Sequence, residues 1–410
     1  MTHHLIGIGG VGMSALATAL VRLGEEVTGA DRTLGTPNIR FLESLGVKVF
    51  PDDGSGVDAS VDEVIVSTAI EDTNAGLVRA KELGIPVTHR AAALSRALSG
   101  HKLVAVAGTC GKSTVTAMLG HILAESGLDP LCVNGANVPG WEGAVRFGRG
   151  EYAVAEVDES DKSLVAFKPY AAVVTNASAD HYSKEEMDEV FDAFVKDCRG
   201  PVVDGRRPDV IGDEADTSLP GRHNRENAAL ALRMALALGC DEAQARAALL
   251  SFRGVERRLQ RIVPEGGDRA GVPAVYDDYA HNPEKLHAMW TTLAEKHRRG
   301  VCAVWRPHGY APLRKMKDAL AKMFAETVRP QDRLLLLPVY DAGGTTDRSI
   351  NSDALADAVA ALGSAQVALV SDLDAAYEWC SAHRGDFDCF VTCGARDPGL
   401  PELAKRLAAM

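Results

Sequence analysis

The segment Val104-Ala105-Val106-Ala107-Gly108-Thr109-Cys110-Gly111-Lys112-Ser113-Thr114 joins an apolar run to a glycine-bordered turn ending in Lys-Ser-Thr. Backbone N–H groups of such a turn can surround phosphate oxygens. Lys112 would reach the terminal phosphates of a nucleotide, and the Ser113 hydroxyl would serve as an oxygen donor to Mg²⁺. The spacing departs from the usual phosphate loop, because Val106 stands where its first glycine would be and Gly108 lies three before Gly111. Carboxylates for a metal come from Ala155-Glu156-Val157-Asp158-Glu159-Ser160-Asp161, where strand alternation puts Glu156 and Asp158 on one face. A further apolar run, Ala172–Thr175, leads to Asn176 and then to Asp180-His181, and His181 is expected to act at the same end of the sheet.

A second glycine turn, Gly7-Ile8-Gly9-Gly10-Val11-Gly12, follows the run Leu5-Ile6, and Asp31 comes 24 residues after Gly7. This is the pattern of a diphosphate held on a helix N-terminus, with an acid placed to meet a ribose. Gly9, Gly10, Val11, Gly12 and Asp31 are therefore candidates for a nucleotide-sugar site. Plainer readings exist for each motif: a glycine turn that only packs strand on helix, an accidental Gly-Lys-Ser, a solvated acidic loop. Cys110 is read as a small filler of the loop.

These residues need parallel strands that end beside helix starts, and the chain supplies them. Short β-rich runs alternate with helical stretches: His4–Ile8 then Ser14–Leu23, Glu63–Ser67 then an Ala-rich segment, Leu103–Ala107 then Thr114–Glu125. The rhythm predicts an α/β fold with parallel sheets covered by helices on both faces. Composition shifts near Gly100 and after the Ala/Leu helix Arg225–Ala237 predict three domains, cut as 1–100, 101–257 and 258–410.

The composition fits soluble globular domains: 410 residues, 46% hydrophobic and 24% charged. A net charge of −12 opposes polyphosphate backbones and argues against a nucleic-acid binder. The absence of a long apolar run argues against a membrane partner. No basic, apolar leader is visible at Met1–Ile6, so the expected location is the cytoplasm. Eight scattered cysteines without a C-x-x-C pair are expected to be reduced thiols.

Taken together the motifs resemble the Mur ligase family, ATP-dependent amide-forming enzymes of cell-wall assembly. Gly108–Ser113 matches that family's G-T-x-G-K-[ST] loop, Gly221–Asn227 its G-x-H-N-x-x-N segment, Gly254–Arg258 its arginine hinge, and Asp277–His281 its D-D-Y-x-H stretch. Gly7–Met13 and Asp158–Asp161 most resemble the branch that adds L-alanine to UDP-N-acetylmuramate. The resemblance implies a Rossmann-like UDP-sugar domain, a central phosphate-loop ATPase sheet and a C-terminal Rossmann-like α/β domain.

The same resemblance implies site roles. Gly108, Thr109, Gly111, Lys112, Ser113 and Thr114 would hold ATP. Lys112 and Arg258 would neutralise the moving γ-phosphate, and Ser113, Glu156 and His181 would hold Mg²⁺. Asn224 and Asn227 would meet the adenine, and Asp278 the ribose or phosphate side. His281 would lie near the incoming amine, with Tyr279 and His308 in the same substrate site. The implied partners are small molecules (ATP, UDP-N-acetylmuramate and an amino acid), and the implied assembly is a monomer or homodimer.

One loop departs from the family pattern. In Arg306-Pro307-His308-Gly309-Tyr310-Ala311-Pro312, Gly309 and Pro312 stand where the alanine-adding branch carries two arginines associated with the amino acid's carboxylate. Arg306 or Arg314 could take over that role, and Asn282 stands where a second histidine is common. Three other readings compete: a sister ligase with another amine or acid, a nicotinamide oxidoreductase built on Gly7–Gly12, and a nucleotide-sugar-binding regulator without turnover.

Overall fold

The computed structural model describes residues 1–158, 163–177, 184–264, 267, 271–341, 343, 346–363 and 365–410. These residues form two compact units, Met1–Val255 and Glu256–Met410. The first unit contains two sheets and the second contains one.

The first sheet is β1 (Thr2–Ile6), β2 (Glu26–Asp31), β3 (Lys48–Pro51), β4 (Glu63–Val66) and β5 (Val87–His89), in the order β3-β2-β1-β4-β5. All its pairs are parallel. The helix Val11–Arg22 follows β1 and buries Met13 through Leu20. The strand ends at Ile6, before the glycine turn and two residues earlier than the run His4–Ile8 suggests.

The second sheet is β6 (Lys102–Ala107), β7 (Leu131–Val133), β8 (Val145–Arg146), β9 (Tyr152–Glu156), β10 (Ala171–Val174) and β11 (Val202–Asp204), ordered β11-β10-β6-β9-β7-β8. Only β7 and β8 pair antiparallel. After its lysine, β6 is apolar and buried without alternation, which is what a central parallel strand covered on both faces requires. Helix Lys112–Glu125 leaves its C-terminal end, and helix Arg222–Ala237 packs beside that helix.

One apolar cluster runs through both sheets, from Leu5, Leu16 and Ala19 to Leu103, Val133 and Phe191. Burial shared in this way joins the two sheets into one compact unit although the chain passes between them at Ser99–His101.

The second unit is built on β12 (Gln260–Ile262), β13 (Ala274–Asp278), β14 (Val301–Trp305), β15 (Arg333–Leu336), β16 (Val367–Leu369) and β17 (Cys389–Cys393), ordered β12-β13-β17-β14-β15-β16. The last strand in sequence enters between β13 and β14, parallel to both, and β12 alone is antiparallel. Trp290, Trp305 and Phe324 fill one side of this sheet. Cys302, Cys380 and Phe390 lie in the cluster on the other. The expected α/β fold with parallel-rich sheets is what the chain forms, and all eight cysteines are free thiols. Among the described residues no helix is long and apolar enough to cross a membrane.

Candidate active site

The C-terminal ends of β10, β6 and β9 lie side by side, and each delivers part of one polar cradle. From β6 comes the loop Gly108–Gly111. A Cβ on Gly108 would fall 2.0 Å from Thr175 Oγ1, and one on Gly111 would fall 2.4 Å from Asn227 Oδ1. Both glycines have positive φ, 129° and 85°, so side-chain bulk and backbone conformation each demand glycine.

The end of β10 braces this loop. Thr175 Oγ1 donates to Cys110 O at 2.6 Å, Asn176 Nδ2 donates to the same carbonyl at 3.0 Å, and Asn176 Oδ1 accepts the Cys110 N–H at 2.9 Å. Thr175 and Asn176 thus brace the loop, a part the motif reading did not give them; their only signal was a strand end facing the loop.

Lys112 opens helix Lys112–Glu125, and its Nζ donates to Gly108 O at 2.7 Å, so the ammonium arches over the loop. Thr109, Ser113 and Thr114 are buried at the helix entrance. From β9, Glu156 Oε2 accepts the Gly135 N–H at 2.8 Å, and Cys110 stays half-buried in the loop. Glu159, Ser160, Asp161, Asp180 and His181 lie outside the described residues. Among the described residues no cluster of three metal-ligating side chains forms.

Asn224 and Asn227 are both buried in the first turns of helix Arg222–Ala237. Asn224 Nδ2 donates to Pro220 O at 2.7 Å, and Asn227 packs on Gly111. Asn227 thus lies directly against the glycine loop.

In the first sheet, Asp31 Oδ2 accepts the Gly9 N–H at 2.9 Å and its Oδ1 accepts the Thr33 N–H at 3.0 Å. Asn38 Nδ2 donates to Gly9 O at 2.9 Å. The Asp31 carboxylate, expected to meet a ribose, is used to shape the turn itself, because both oxygens face backbone amides there. A residue outside the motif joins the turn: the Arg90 guanidinium lies where a Cβ on Gly12 would come within 2.6 Å of it. It brings a positive charge to the start of helix Val11–Arg22, the end that favours anions, beside Gly10 and Val11.

In the second unit the C-terminal ends of β13, β17 and β14 are adjacent, with the order reversing around β17. Crevices at such reversals are the usual ligand sites of open parallel sheets. Asp278 is buried. Its Oδ2 accepts the Leu259 N–H at 2.6 Å and its Oδ1 the Ala280 N–H at 2.7 Å. Burial pushes its carboxyl up to about 6. Asp278, expected to face the ribose or phosphate side, therefore holds two backbone segments together.

Tyr279 carries the Arg258 guanidinium over its ring at 5.0 Å and meets the His281 ring edge-on at 5.5 Å. The rings of His281 and His308 are 4.8 Å apart. Asn282, in place of a second histidine, caps helix Pro283–Lys296 by accepting the Lys285 N–H at 2.9 Å.

Burial holds both His281 and His308 down to about 4. A depressed histidine contributes stability that is complete above its unfolded pKa of 6.5 and is lost as the pH falls toward 4, because the unfolded chain takes up the proton first. His308→Gln removes one such group. The melting temperature of the variant minus that of wild type will rise between pH 7 and pH 4.5 by calorimetry; a constant difference would contradict the burial assigned to His308.

Residues 2–102 match the model of the Mur ligase family catalytic domain, 106–196 the Mur ligase middle domain, and 257–396 the Mur ligase glutamate ligase domain. The chain is 34% identical to the UDP-N-acetylmuramate–L-alanine ligase of Halorhodospira halophila, covering 97% of this chain and 92% of the relative. It is also 34% identical to the enzyme of the same name from Rubrobacter xylanophilus, covering 97% of each. The crystal structure of UDP-N-acetylmuramate-alanine ligase from Thermotoga maritima superposes with a TM-score of 0.82 at 25% identity, over 99% of this chain and 98% of that one. A murein peptide ligase from Psychrobacter arcticus shares the fold, with a TM-score of 0.67 at 20% identity over 100% and 99%. The glycine cradle on β6, its braces at the end of β10, and full-length likeness to these enzymes converge: the chain belongs to the Mur ligase family.

Proposed function

We propose that this protein is an ATP-dependent ligase that joins the lactyl carboxylate of UDP-N-acetylmuramate to L-alanine, in the synthesis of peptidoglycan precursors. One observation carries the ATP half of this reading: the Gly108–Ser113 cradle, closed to any side chain at both glycines and overhung by Lys112. The names of the relatives carry the substrate half. Residues 1–100 are assigned to the nucleotide sugar, 101–257 to ATP and 258–410 to the amino acid, in a cytoplasmic enzyme that works as a monomer or homodimer.

A carboxylate is a poor acyl donor, so one of its oxygens first attacks the γ-phosphorus of ATP. ADP leaves, and an acyl phosphate forms. The amine of L-alanine then attacks the acyl carbon, its proton passes to a base, and inorganic phosphate departs. Such transfers depend on positioning and on neutralising charge. Lys112 and Arg258 are assigned to the moving phosphoryl group. His281, neutral above about pH 4, is available to take the amine's proton. The Ser113 hydroxyl and the Glu156 carboxylate are hard oxygen donors of the kind Mg²⁺ takes, with His181 assigned beside them. When bound there, the ion would offset the negative charge of the triphosphate.

The test is phosphate release by the purified protein with ATP, UDP-N-acetylmuramate and single amino acids, with product mass read in parallel. Release is expected only when sugar nucleotide and L-alanine are both present, with a product heavier by one alanine residue. Release with another amino acid or peptide would select the sister-ligase reading. No release in any combination would overturn the ligase assignment.

A further inference from the structure

Gly309 and Pro312 offer no charge to an amino acid's carboxylate at this end of the sheet, and the loop after β17 supplies one. We infer that Arg396, on the loop that follows β17, grips the carboxylate of the incoming amino acid and sets the preference for an α-amino acid. This inference rests on the ligase reading above.

Because β17 lies between β13 and β14, the loop Gly394–Asp397 emerges between Tyr279–His281 on one side and Arg306–Gly309 on the other. Arg396 reaches over the bare position: a Cβ on Gly309 would lie 3.9 Å from its Nη1. Its charge also acts on His308, the neighbour of His281. A cation and two neutral imidazoles thus meet at one edge of the sheet. An α-amino acid presents a matching pair of groups, a carboxylate next to an amine that must lose a proton.

The other arginines of this region are engaged. Arg306 Nη1 bonds Asp397 Oδ2 at 2.5 Å, and Arg257 bonds Asp277 at 3.0 Å. Arg314 pairs with Asp347 at 2.8 Å and Arg348 with Asp341 at 2.7 Å. Arg306 and Arg314, the two substitutes the sequence suggests, each already pair with a carboxylate. Arg396 is exposed, and among the described residues no carboxylate pairs with it.

The backbone that carries Arg396 is fixed on both sides. Arg257 Nη2 donates to Gly394 O at 2.5 Å, and Asp397, held by Arg306, accepts the Gly399 N–H at 2.8 Å. A guanidinium leaving so rigid a loop loses less freedom when it binds a planar carboxylate in a forked pair.

The experiment compares wild type, R396A, R396Q and R396K in amino-acid-dependent phosphate release, with L-alanine and with L-alaninamide, which has the amine but no carboxylate. R396A and R396Q are expected to raise the KM for L-alanine about 10–100-fold, the cost of one charge-assisted contact. KM for ATP and UDP-N-acetylmuramate should stay within about twofold. Wild type should prefer L-alanine to the amide strongly, and both neutral variants should lose that preference. R396K, with charge but no fork, should recover part of it. If the neutral variants keep the wild-type KM for L-alanine and its preference over the amide, Arg396 is a surface charge and the inference is overturned. If wild type itself turns over with no amino acid, it is the ligase reading that fails.

Discussion

Lys112→Ala will lower phosphate release by about 10³-fold, as expected when one preorganised charge aimed at the transferring phosphoryl group is removed. The expectation comes from position. Lys112 is the first residue of the helix that leaves the glycine loop, and its ammonium is held over that loop by the Gly108 carbonyl at 2.7 Å. No apolar packing depends on it, because the interior of that helix is filled by Val115, Met118, Leu119 and Ile122. The variant should fold with an unchanged circular dichroism spectrum and melt near the wild-type temperature. Most of the loss should appear in kcat rather than in the KM for ATP, since the loop amides and the braces from Thr175 and Asn176 remain to bind the phosphates. Turnover above about a tenth of wild type, measured by coupled phosphate assay, would remove Lys112 from the chemistry.

The ease with which the sequence exposes Lys112 reflects how local its geometry is. A strand, a glycine turn and a helix start are consecutive in the chain, so Gly108, Gly111, Lys112 and Ser113 are legible from spacing alone. The same holds for the α/β rhythm and for the turn at Gly7–Gly12. What escapes a linear reading depends on strand order. Thr175 and Asn176 brace Cys110 only because β10 pairs with β6 across 67 residues of chain. Arg396 comes over Gly309 only because β17 enters between β13 and β14. Asp31 and Asp278 were legible as important acids but not as internal ones, since a carboxylate that accepts backbone N–H groups looks, in sequence, like one that faces a ligand. The composition shift near Gly100 marks a change of sheet, yet burial ignores it, because Leu16 and Ala19 pack into the same cluster as Val133 and Phe191.

The second large effect concerns Arg257, which sequence reasoning passed over in favour of its neighbour Arg258. Arg257→Ala is expected to destabilise the protein by about 3 kcal/mol, within the range for stranding one partner of a buried ion pair. Asp277 is fully buried in β13 with its Oδ2 on Arg257 Nε at 3.0 Å and its Oδ1 on the Thr392 hydroxyl at 2.7 Å. Burial already pushes the Asp277 carboxyl up, and Arg257 is the strongest influence opposing that rise. Without the guanidinium the Thr392 hydroxyl and the Asp278 backbone N–H are left to offset the charge. Arg257 also holds its own segment in place: it sits at φ +58°, where a non-glycine residue is strained, and its carbonyl accepts the Tyr279 N–H at 2.7 Å. Removing the side chain frees Gly394 O as well, so the loop that carries Arg396 loses its anchor. Two measurements separate these effects. In urea unfolding, the double variant Arg257→Ala/Asp277→Asn should recover part of the lost stability, because the stranded charge is gone. Its KM for L-alanine should nevertheless stay raised, because the Gly394 anchor is still missing. A single variant as stable as wild type would show that Asp277 does not carry a buried charge that Arg257 must balance.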